Sequence, residues 1–341
     1  MVTHMLARAS PDENIRPFLI HQDLAQLASL IELAFRPELE RVGDRIPAEM
    51  RRLARAGPLL RLLDTSHGRL SSLMGGYVWV ANGQLVGNVT LTQESSRRNL
   101  WSIGNVAVHP DFRGRGIARR LMGVALQEAS DRGARVIVLE VNTDNTAAQQ
   151  LYRGLGFEVY ETVEELSLPA HSWPKAMALP SLPLRTRRPD DWEALYNLVR
   201  TATPAEAQKV RPVSVSHFRM GIDLRFARWL DDLTNRRRRT DWVLEKKTQV
   251  VAWLQLTGQY RREAHRLQIT VHPESRGMFE DQMLTAGLYR LNRFPVAEVV
   301  SRVSTSHPEA QQAYHSAGFR AVRVLDQMRL DLRRGKDGTT P

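Results

Sequence analysis

The sequence contains no cysteine among its 341 residues. A chain without thiols has no disulfide framework, no thiolate metal ligand and no cysteine nucleophile, so any group transfer must proceed without an acyl-cysteine intermediate. Long apolar runs are also missing, and without about 18 consecutive apolar residues there is no candidate for a transmembrane helix. Residues 1–10 lack the apolar centre of a secretory signal. We therefore expect a cytoplasmic protein with no membrane partner.

Lysine is scarce, since only five of the 48 basic residues are lysines. The formal net charge is +11 and the isoelectric point is about 10.4. Such a charge favours an anionic partner, which could be a nucleic acid, a membrane surface or a phosphorylated cofactor. Arginine suits phosphate recognition, but a biased genomic base composition explains the arginine preference better. Charge alone therefore does not identify the partner.

One basic run, Arg236 to Arg239, stands next to Trp242. It could form a nucleic-acid patch, but we interpret it as a solvated basic loop and do not expect nucleic acid to be a partner.

His109 and His272 each precede a proline in a turn, and no histidine or carboxylate cluster has the spacing of metal ligands. The sequence therefore predicts no metal site.

The two halves of the chain repeat each other. Residues 108–114 and 271–277 share Val-His-Pro, two residues and Arg-Gly, and residues 148–157 and 310–319 share Ala-Gln-Gln, one residue, Tyr, three residues and Gly-Phe. Between the halves lies a segment with four prolines and no regular hydrophobic period, which is typical of a linker. The sequence thus predicts an N-terminal domain over 1–168, a linker over 169–183 and a C-terminal domain over 184–341.

Each half has the coarse order helix, three strands, helix, strand, helix, strand. Asn82-Gly83 between two alternating segments predicts a β-hairpin. The stretch from Gly116 to Arg132 has apolar residues at helical spacing, and the β-branched run from Val136 to Val141 suits a buried strand. The fold class that follows is α+β with a mixed sheet.

The most informative stretch runs from Asn105 to Ala118, where a strand leads through a basic, glycine-containing turn into a helix. The first turn of a helix has unpaired backbone N–H groups and the positive end of the helix dipole, and glycines let a diphosphate approach the backbone closely. Arg113 and Arg115 add positive charge. Taken alone, the pattern also fits a tight surface turn.

The context favours phosphate binding, because the sequence resembles the GNAT acetyltransferase superfamily over residues 14–168. The family motif is Arg or Gln, two residues, Gly, one residue, then Gly or Ala. The first block of matching residues is Arg113, Gly116 and Ala118, and the second is Glu140-Val141-Asn142, Asn145, Leu151-Tyr152 and Gly156-Phe157.

The resemblance implies two tandem GNAT-like domains, each a mixed, mainly antiparallel twisted sheet flanked by helices. It also implies that acetyl-coenzyme A lies between the strands that end at Val108 and Val141. An alternative role for Asn145 is a helix N-cap. The cofactor-binding residues that the resemblance implies are Val106, Ala107, Val108, Arg113, Gly114, Arg115, Gly116, Ile117, Ala118, Asn145 and Tyr152.

Acetyl transfer to an amine requires an unprotonated amine, a stabilised oxyanion and a proton for the departing thiolate. Glu140 is the candidate base, because partial burial at the end of an apolar strand would raise its pKa. It could instead be a structural carboxylate paired with an arginine, and Glu94 is a weaker alternative base. The family motif implies that Tyr152 is the general acid. A backbone N–H of Val106 to Val108 would contact the oxyanion.

The C-terminal half is predicted to be a degenerate, non-catalytic copy. At its phosphate loop, Phe279, Glu280 and Asp281 replace Gly116, Ile117 and Ala118. Phenylalanine blocks close approach to the backbone, and two carboxylates at a helix start repel a diphosphate. This half could complete the acceptor pocket, form a homodimer or cover the first domain.

The function predicted from these residues is N-acetylation of a primary amine on a small molecule, by direct attack in a ternary complex. Two alternatives stay open: a protein N-terminus or lysine as acceptor, and a non-catalytic module that senses acetyl-coenzyme A. The acceptor pocket is expected in Ala34 to Gly75 and in the second domain, whose sequences carry no recognisable chemistry.

Overall fold

The computed structural model describes residues 14–36, 75–94, 97–174, 180–219, 221–261 and 263–332, and the side chains of residues 222–225 are excepted. Most of the predicted acceptor region, residues 37–74, and part of the predicted linker lie outside these ranges. The chain forms two compact units that are not contiguous in sequence. Unit 1 comprises residues 1–141, 145–159 and 327–341, and unit 2 comprises residues 142–144 and 160–326. The domain boundaries expected from the sequence stay a prediction.

Unit 1 contains a mixed sheet. Its strands follow the order β1-β2-β3-β4-β5-β12, of which β4 and β5 are parallel, whereas β1 to β4 are joined by antiparallel pairs. The hairpin predicted at Asn82-Gly83 is confirmed, with both residues at positive φ as its turn requires. The strands are β1 (Ile15–Pro17), β2 (Gly76–Ala81), β3 (Gln84–Gln93), β4 (Leu100–Val108), β5 (Val136–Asn142) and the last part of β12 (Arg320–Asp331).

Three helices cover the two faces of this sheet: α1 (Ile20–Ala34), α2 (Ile117–Asp131) and α3 (Thr146–Arg153). Helix α1 buries one face at helical spacing, and this face packs with Val78, Leu85 and Ala107. Helices α2 and α3 pack on the opposite face, around the fully buried Trp101. The predicted phosphate loop, residues 109–116, lies between β4 and α2, so both ends of the loop are anchored in a core.

Unit 2 repeats this plan. Its strands follow the order β12-β6-β11-β10-β9-β8-β7, with β10 and β11 parallel. The strands are β6 (Glu158–Leu168), β7 (Leu184–Thr186), β8 (Arg237–Lys246), β9 (Gln249–Gln259), β10 (His265–Val271), β11 (Val299–Ser304) and the first part of β12. The helices are α4 (Trp192–Ala202), α5 (Ala205–Val210), α6 (Ile222–Thr234), α7 (Glu280–Leu291) and α8 (Pro308–Ser316).

Each unit contains a strand from the opposite half of the sequence. Met328 and Leu330 at the end of β12 are buried in the core of unit 1, together with residues of α2. Leu166 and Leu168 of β6, which follows the N-terminal motifs in sequence, are buried in the core of unit 2. Neither half of the sequence therefore supplies its own complete core.

The interpretation of Arg236 to Arg239 as a solvated loop is wrong, because β8 begins at Arg237 and pairs with β9. Arg237 and Arg239 form ion pairs with Asp231 and Asp232 of α6. These carboxylates neutralise two of the four guanidinium groups, which lets the two arginine side chains lie partly buried in a strand.

Candidate active site

Strands β4 and β5 separate in the middle of unit 1. They pair in parallel from Leu100 with Val136 to Ile103 with Leu139, which is the last pair that the structure describes between them. Beyond this point β4 contains a bulge, since Asn105 adopts a left-handed φ of 49° and the register against β3 shifts. A bulge bends its strand and interrupts pairing. The result is an opening between the ends of β4 and β5.

The backbone of β4 presents hydrogen-bonding groups to this opening. The His109 N–H donates to Val86 of β3 at 2.8 Å, and residues along a strand alternate between its two edges. By this alternation, Ala107 faces β3, whereas the N–H and C=O groups of Val106 and Val108 face the opening. The sequence analysis predicts that an N–H group of this stretch donates to the oxyanion.

The phosphate loop ends at the start of α2. Gly114 and Gly116 both have φ of 76°, and a Cβ at either position would meet no heavy atom within 4 Å in the part of the chain that is described. Across the same part, no side chain caps α2. The start of α2 thus borders a hollow of about 250 Å³, which is lined by Val108, Phe112, Arg113, Gly114, Gly116, Ile117, Ala118, Arg119 and Leu151.

The two arginines predicted to supply charge also hold the loop in shape. Arg113 donates from Nε to the Val108 carbonyl at 3.3 Å and from Nη2 to the Ala34 carbonyl at 3.2 Å. Arg115 donates to the Asp111 carbonyl at 3.0 Å, and its guanidinium lies 4.8 Å from the Phe112 ring centre. Both side chains are exposed beside the hollow.

Tyr152 lies in the second and last full turn of α3 and is 6% exposed. It packs edge-on against Phe157, with ring centres 6.0 Å apart. Burial raises the pKa of the Tyr152 hydroxyl to about 12. The hydroxyl is therefore protonated at neutral pH, which is the state that a general acid requires.

Asn145 caps helix α3, because its Oδ1 accepts a hydrogen bond from the Ala148 N–H at 3.1 Å. The N-cap interpretation is thus confirmed. The Nδ2 group of an asparagine N-cap remains a donor, so capping does not prevent a contact with a cofactor.

Glu140 follows the last β4–β5 pair directly and stands at the point where the two strands separate. Its side chain is exposed, so the expected partial burial is wrong. The reason is strand alternation: Leu139 and Val141 point into the core of unit 1, and Glu140 points to the other face of the sheet. Glu140 remains a candidate base because it lies where β4 and β5 separate, and not because it is buried.

Two further residues are placed differently from the sequence interpretation. Glu94 follows β3 next to Leu100 at the start of β4, which is five residues or ~17 Å from Asn105 along the strand, so it is not a candidate base. Arg119 lines the hollow and was missed, although its position directly after Ala118 in the first helical turn was the available signal.

The corresponding loop in unit 2 differs in the way that its sequence predicts. Phe279, at the position of Gly116, has an ordinary φ of −127°. Its N–H donates to Oε2 of Glu280 at 3.1 Å, and Glu280 is only 3% exposed. A carboxylate of the chain itself thus occupies the helix start where an anion would bind.

Within the described ranges, no cluster of three or more His, Cys, Asp or Glu side chains is arranged to hold a metal ion. None of the helices in those ranges combines the length and apolar character needed to cross a membrane.

Known proteins are similar to parts of this chain. The acetyltransferase (GNAT) family matches residues 45–157. An uncharacterised N-acetyltransferase of Methanocaldococcus jannaschii is 37% identical over 94 residues, which cover 26% of this chain and 42% of that protein. The chain spans less than two thirds of the length of this and other curated relatives that it matches.

Two solved structures resemble almost the entire chain. A GCN5-related N-acetyltransferase from Sphaerobacter thermophilus has a TM-score of 0.64 at 21% identity, covering 98% of this chain and 100% of that one. A tandem GNAT protein from the clavulanic acid biosynthesis pathway has a TM-score of 0.56 at 17% identity, and the match covers 94% of this chain and 99% of that one. At these identities the likeness concerns the fold. This chain therefore has the tandem α+β GNAT fold, and residues 45–157 of its N-terminal half match the acetyltransferase (GNAT) family.

Proposed function

We propose that the protein is an N-acetyltransferase that moves an acetyl group from acetyl-coenzyme A to a primary amine of a small molecule. The observation that carries the proposal is the start of α2, where no side chain caps the helix and no described atom fills the space beside Gly114 and Gly116, next to a hollow. A diphosphate fits such a place because the backbone donors, the helix dipole and the nearby arginines all favour negative charge. The described part of unit 2 has no equivalent, because Glu280 fills that position.

The parts of unit 1 fit the other portions of coenzyme A as well. The Val106 and Val108 backbone groups at the opened edge of β4 would pair with an amide-containing arm, as a neighbouring strand would. Bound acetyl-coenzyme A would supply an activated acyl group and a thiol leaving group. Together with Ala107, Arg113, Gly114, Arg115, Gly116, Ile117, Ala118, Asn145 and Tyr152, these residues make up the proposed cofactor site.

The chain's own residues would manage the protons. Glu140 would accept a proton from the attacking amine, directly or through water, and the Val106 or Val108 N–H would donate to the oxyanion. Tyr152 would donate its hydroxyl proton to the departing thiolate. With no cysteine in the chain, the amine would attack directly in a ternary complex.

Detection of free coenzyme A with a thiol reagent tests the proposal. Because the protein has no cysteine, it adds no background to this assay. Acetyl-coenzyme A would be incubated with small primary amines and, in parallel, with peptides that carry a free N-terminus or a lysine. We expect release above the hydrolysis rate with at least one small amine, and a product that has gained one acetyl group.

The alternatives give different outcomes. Release with peptides alone would assign the acceptor to proteins. Binding of coenzyme A without release in either panel would indicate a sensing module, which is the non-catalytic alternative. A cytoplasmic location, a homodimer and the absence of a nucleic-acid partner stay predictions.

A further inference from the structure

Asn88 is a buried polar residue beside the β4 bulge. It lies in the middle of β3 and is 1% exposed. Its Nδ2 donates to the Asn105 carbonyl at 2.9 Å and lies 3.4 Å from the Thr90 hydroxyl. Asn105 Nδ2 donates to the same Thr90 hydroxyl at 3.3 Å. The three side chains therefore form a small network behind the opening between β4 and β5.

The network compensates for a break in the strand pairing. Asn88 pairs with Ala107 and Thr90 pairs with Gly104, so one residue of β3 stands opposite two residues of β4. The extra residue leaves the Asn105 carbonyl outside the regular β3–β4 ladder, and an unsatisfied backbone carbonyl destabilises a fold. The Asn88 amide supplies the missing donor. It thereby stabilises the left-handed backbone of Asn105, which is uncommon for residues other than glycine.

Unit 2 provides an internal comparison. Ala107 and Thr270 each precede a Val-His-Pro sequence, and their partners are Asn88 in β3 and Trp253 in β9. In unit 2 the pairing continues without a shift through Leu254 with Ile269. The half with Phe279 in place of Gly116 therefore also lacks the bulge and the asparagine that supports it in unit 1.

We infer that Asn88 is a positioning residue for acetyl transfer, which acts by holding the β4 bulge so that a backbone N–H of Val106 or Val108 faces the reacting carbonyl. This inference rests on the function proposed above. Asn88 itself is buried on the β3 side and would not contact substrate or cofactor. Its effect on the reaction would pass through the Asn105 carbonyl, because the bulge sets the direction of the backbone that follows it.

Two substitutions of Asn88 and one control test whether Asn88 positions the reacting backbone or only stabilises the fold. Asn88→Asp keeps the shape of the side chain but, when ionised, removes both amide donors, and Asn88→Leu replaces the amide by an apolar group. Leu91→Ala is the matched control, because Leu91 is buried in the same strand but lies in the hydrophobic core of unit 1. All three are expected to lower Tm.

Only the Asn88 variants are expected to lower kcat, by roughly 10- to 100-fold, which is the range for a misdirected oxyanion donor. The affinity for coenzyme A, measured by calorimetry, is expected to fall less than kcat, because the helix start at Gly116 is unchanged and only the β4 backbone groups that would pair with the cofactor arm are redirected. A kcat that falls equally in Leu91→Ala, or that stays at the wild-type value in both Asn88 variants, would overturn the inference.

A crystal structure keeps the inference testable if the variants are too unstable for kinetics. In Asn88→Leu, Asn105 is expected to leave the left-handed region and the β3–β4 register to become regular, as in unit 2. An unchanged bulge would contradict the inference. Wild-type protein that shows no turnover with any amine would instead contradict the proposed function, and the structural comparison of the bulge would still stand.

Discussion

The Arg113 guanidinium donates from Nη2 to the carbonyl of Ala34, the last residue of α1, at 3.2 Å. In unit 2, Arg276 makes the same contact with Ala202 at the end of α4, at 3.3 Å. The contact is thus present in the half whose phosphate loop is degenerate. We conclude that this arginine of the motif has a structural role, which is to attach the loop to the end of a helix whose last carbonyls lack intrahelical partners.

Substitution of this arginine should therefore affect stability in both units. Arg113→Gln and Arg276→Gln are each expected to lower Tm by a few degrees, which corresponds to about 1 kcal/mol for an exposed or partly buried hydrogen bond to a carbonyl. Thermal unfolding followed by circular dichroism measures this. An Arg276→Gln protein with unchanged Tm would show that the contact in unit 2 contributes no stability.

Gly116 gives the most specific test of the phosphate loop. Gly116→Ala places a side chain at φ of 76°, where L-residues are strained, and Gly116→Phe creates the residue arrangement of unit 2. Coenzyme A affinity is expected to fall by roughly tenfold for alanine and by at least about 100-fold for phenylalanine, since the latter blocks approach of a diphosphate to the helix start. Isothermal titration calorimetry measures both values.

Gly133→Ala is the matched control for this series. Gly133 also has a positive φ, 82°, and a Cβ there would meet no described atom within 4 Å, but it follows the other end of α2. The control is expected to lose about 1 kcal/mol of stability and to keep its affinity for coenzyme A. If Gly116→Ala and Gly133→Ala lost coenzyme A affinity equally, backbone strain, and not access of the diphosphate to the helix start, would explain the loss.

Tyr152→Phe removes the proposed proton donor and leaves the packing against Phe157. We expect kcat to fall by roughly 10- to 100-fold with little change in coenzyme A affinity. Because burial raises the pKa of Tyr152 to about 12, the wild-type rate should show no loss from ionisation of this group below about pH 11. Tyr314→Phe, at the same position of the repeat in unit 2, serves as the control and is expected to retain full kcat.

His265 makes the stability of unit 2 dependent on pH. Its Nδ1 accepts from the Gln259 N–H at 3.0 Å, so Nε2 carries the proton and donates to the Pro295 carbonyl at 2.9 Å. Burial lowers the pKa of His265 below its ordinary value. As the pH falls below about 6.5, the unfolded chain binds a proton that the folded protein excludes, so the free energy of unfolding decreases with falling pH.

The expected loss is at most about 1.4 kcal/mol per pH unit for this one group, until the pH reaches its folded-state pKa. Urea unfolding between pH 7.5 and 5 measures it. Burial also lowers the pKa of His307, so His265→Gln should reduce the slope without removing it. His171→Gln, at an exposed position, is the control and should leave the slope unchanged.

The end of β12 is buried in the core of unit 1, so shortening the C-terminus should affect the stability of unit 1. Ending the chain after Asp326 removes Met328 and Leu330 from the core of unit 1, and burial of two such side chains contributes several kcal/mol. This truncation is expected to abolish coenzyme A binding although residues 105–157 are intact. Ending the chain after Leu332 preserves both core residues and should preserve binding. Binding by the shorter chain would contradict the assigned core.

The sequence was sufficient to predict the elements that carry the motifs. The helix predicted from Gly116 to Arg132 is observed as Ile117–Asp131, and the strand predicted from Val136 to Val141 is observed as Val136–Asn142. Both predictions succeeded because apolar periodicity and a glycine stop are local signals. The position of the turn between β4 and α2 followed from the same local signals.

Other features depend on non-local pairing and could not be predicted. Alternating apolar residues in β12 show that it is a strand, but not that Met328 enters the core of unit 1. The exposure of Glu140 depends on which face of β5 is covered. Likewise, the importance of Asn88 is apparent only from the β3–β4 register, which places it beside the Asn105 carbonyl.

Calorimetric titration of the full chain with coenzyme A tests the central claim most directly. The claim is that the open helix start at Gly116 binds a diphosphate, whereas the equivalent start at Phe279 does not. We predict one equivalent of coenzyme A bound per chain, and none bound by Gly116→Phe. No binding by the wild type, or a second equivalent that persists in Gly116→Phe, would contradict it.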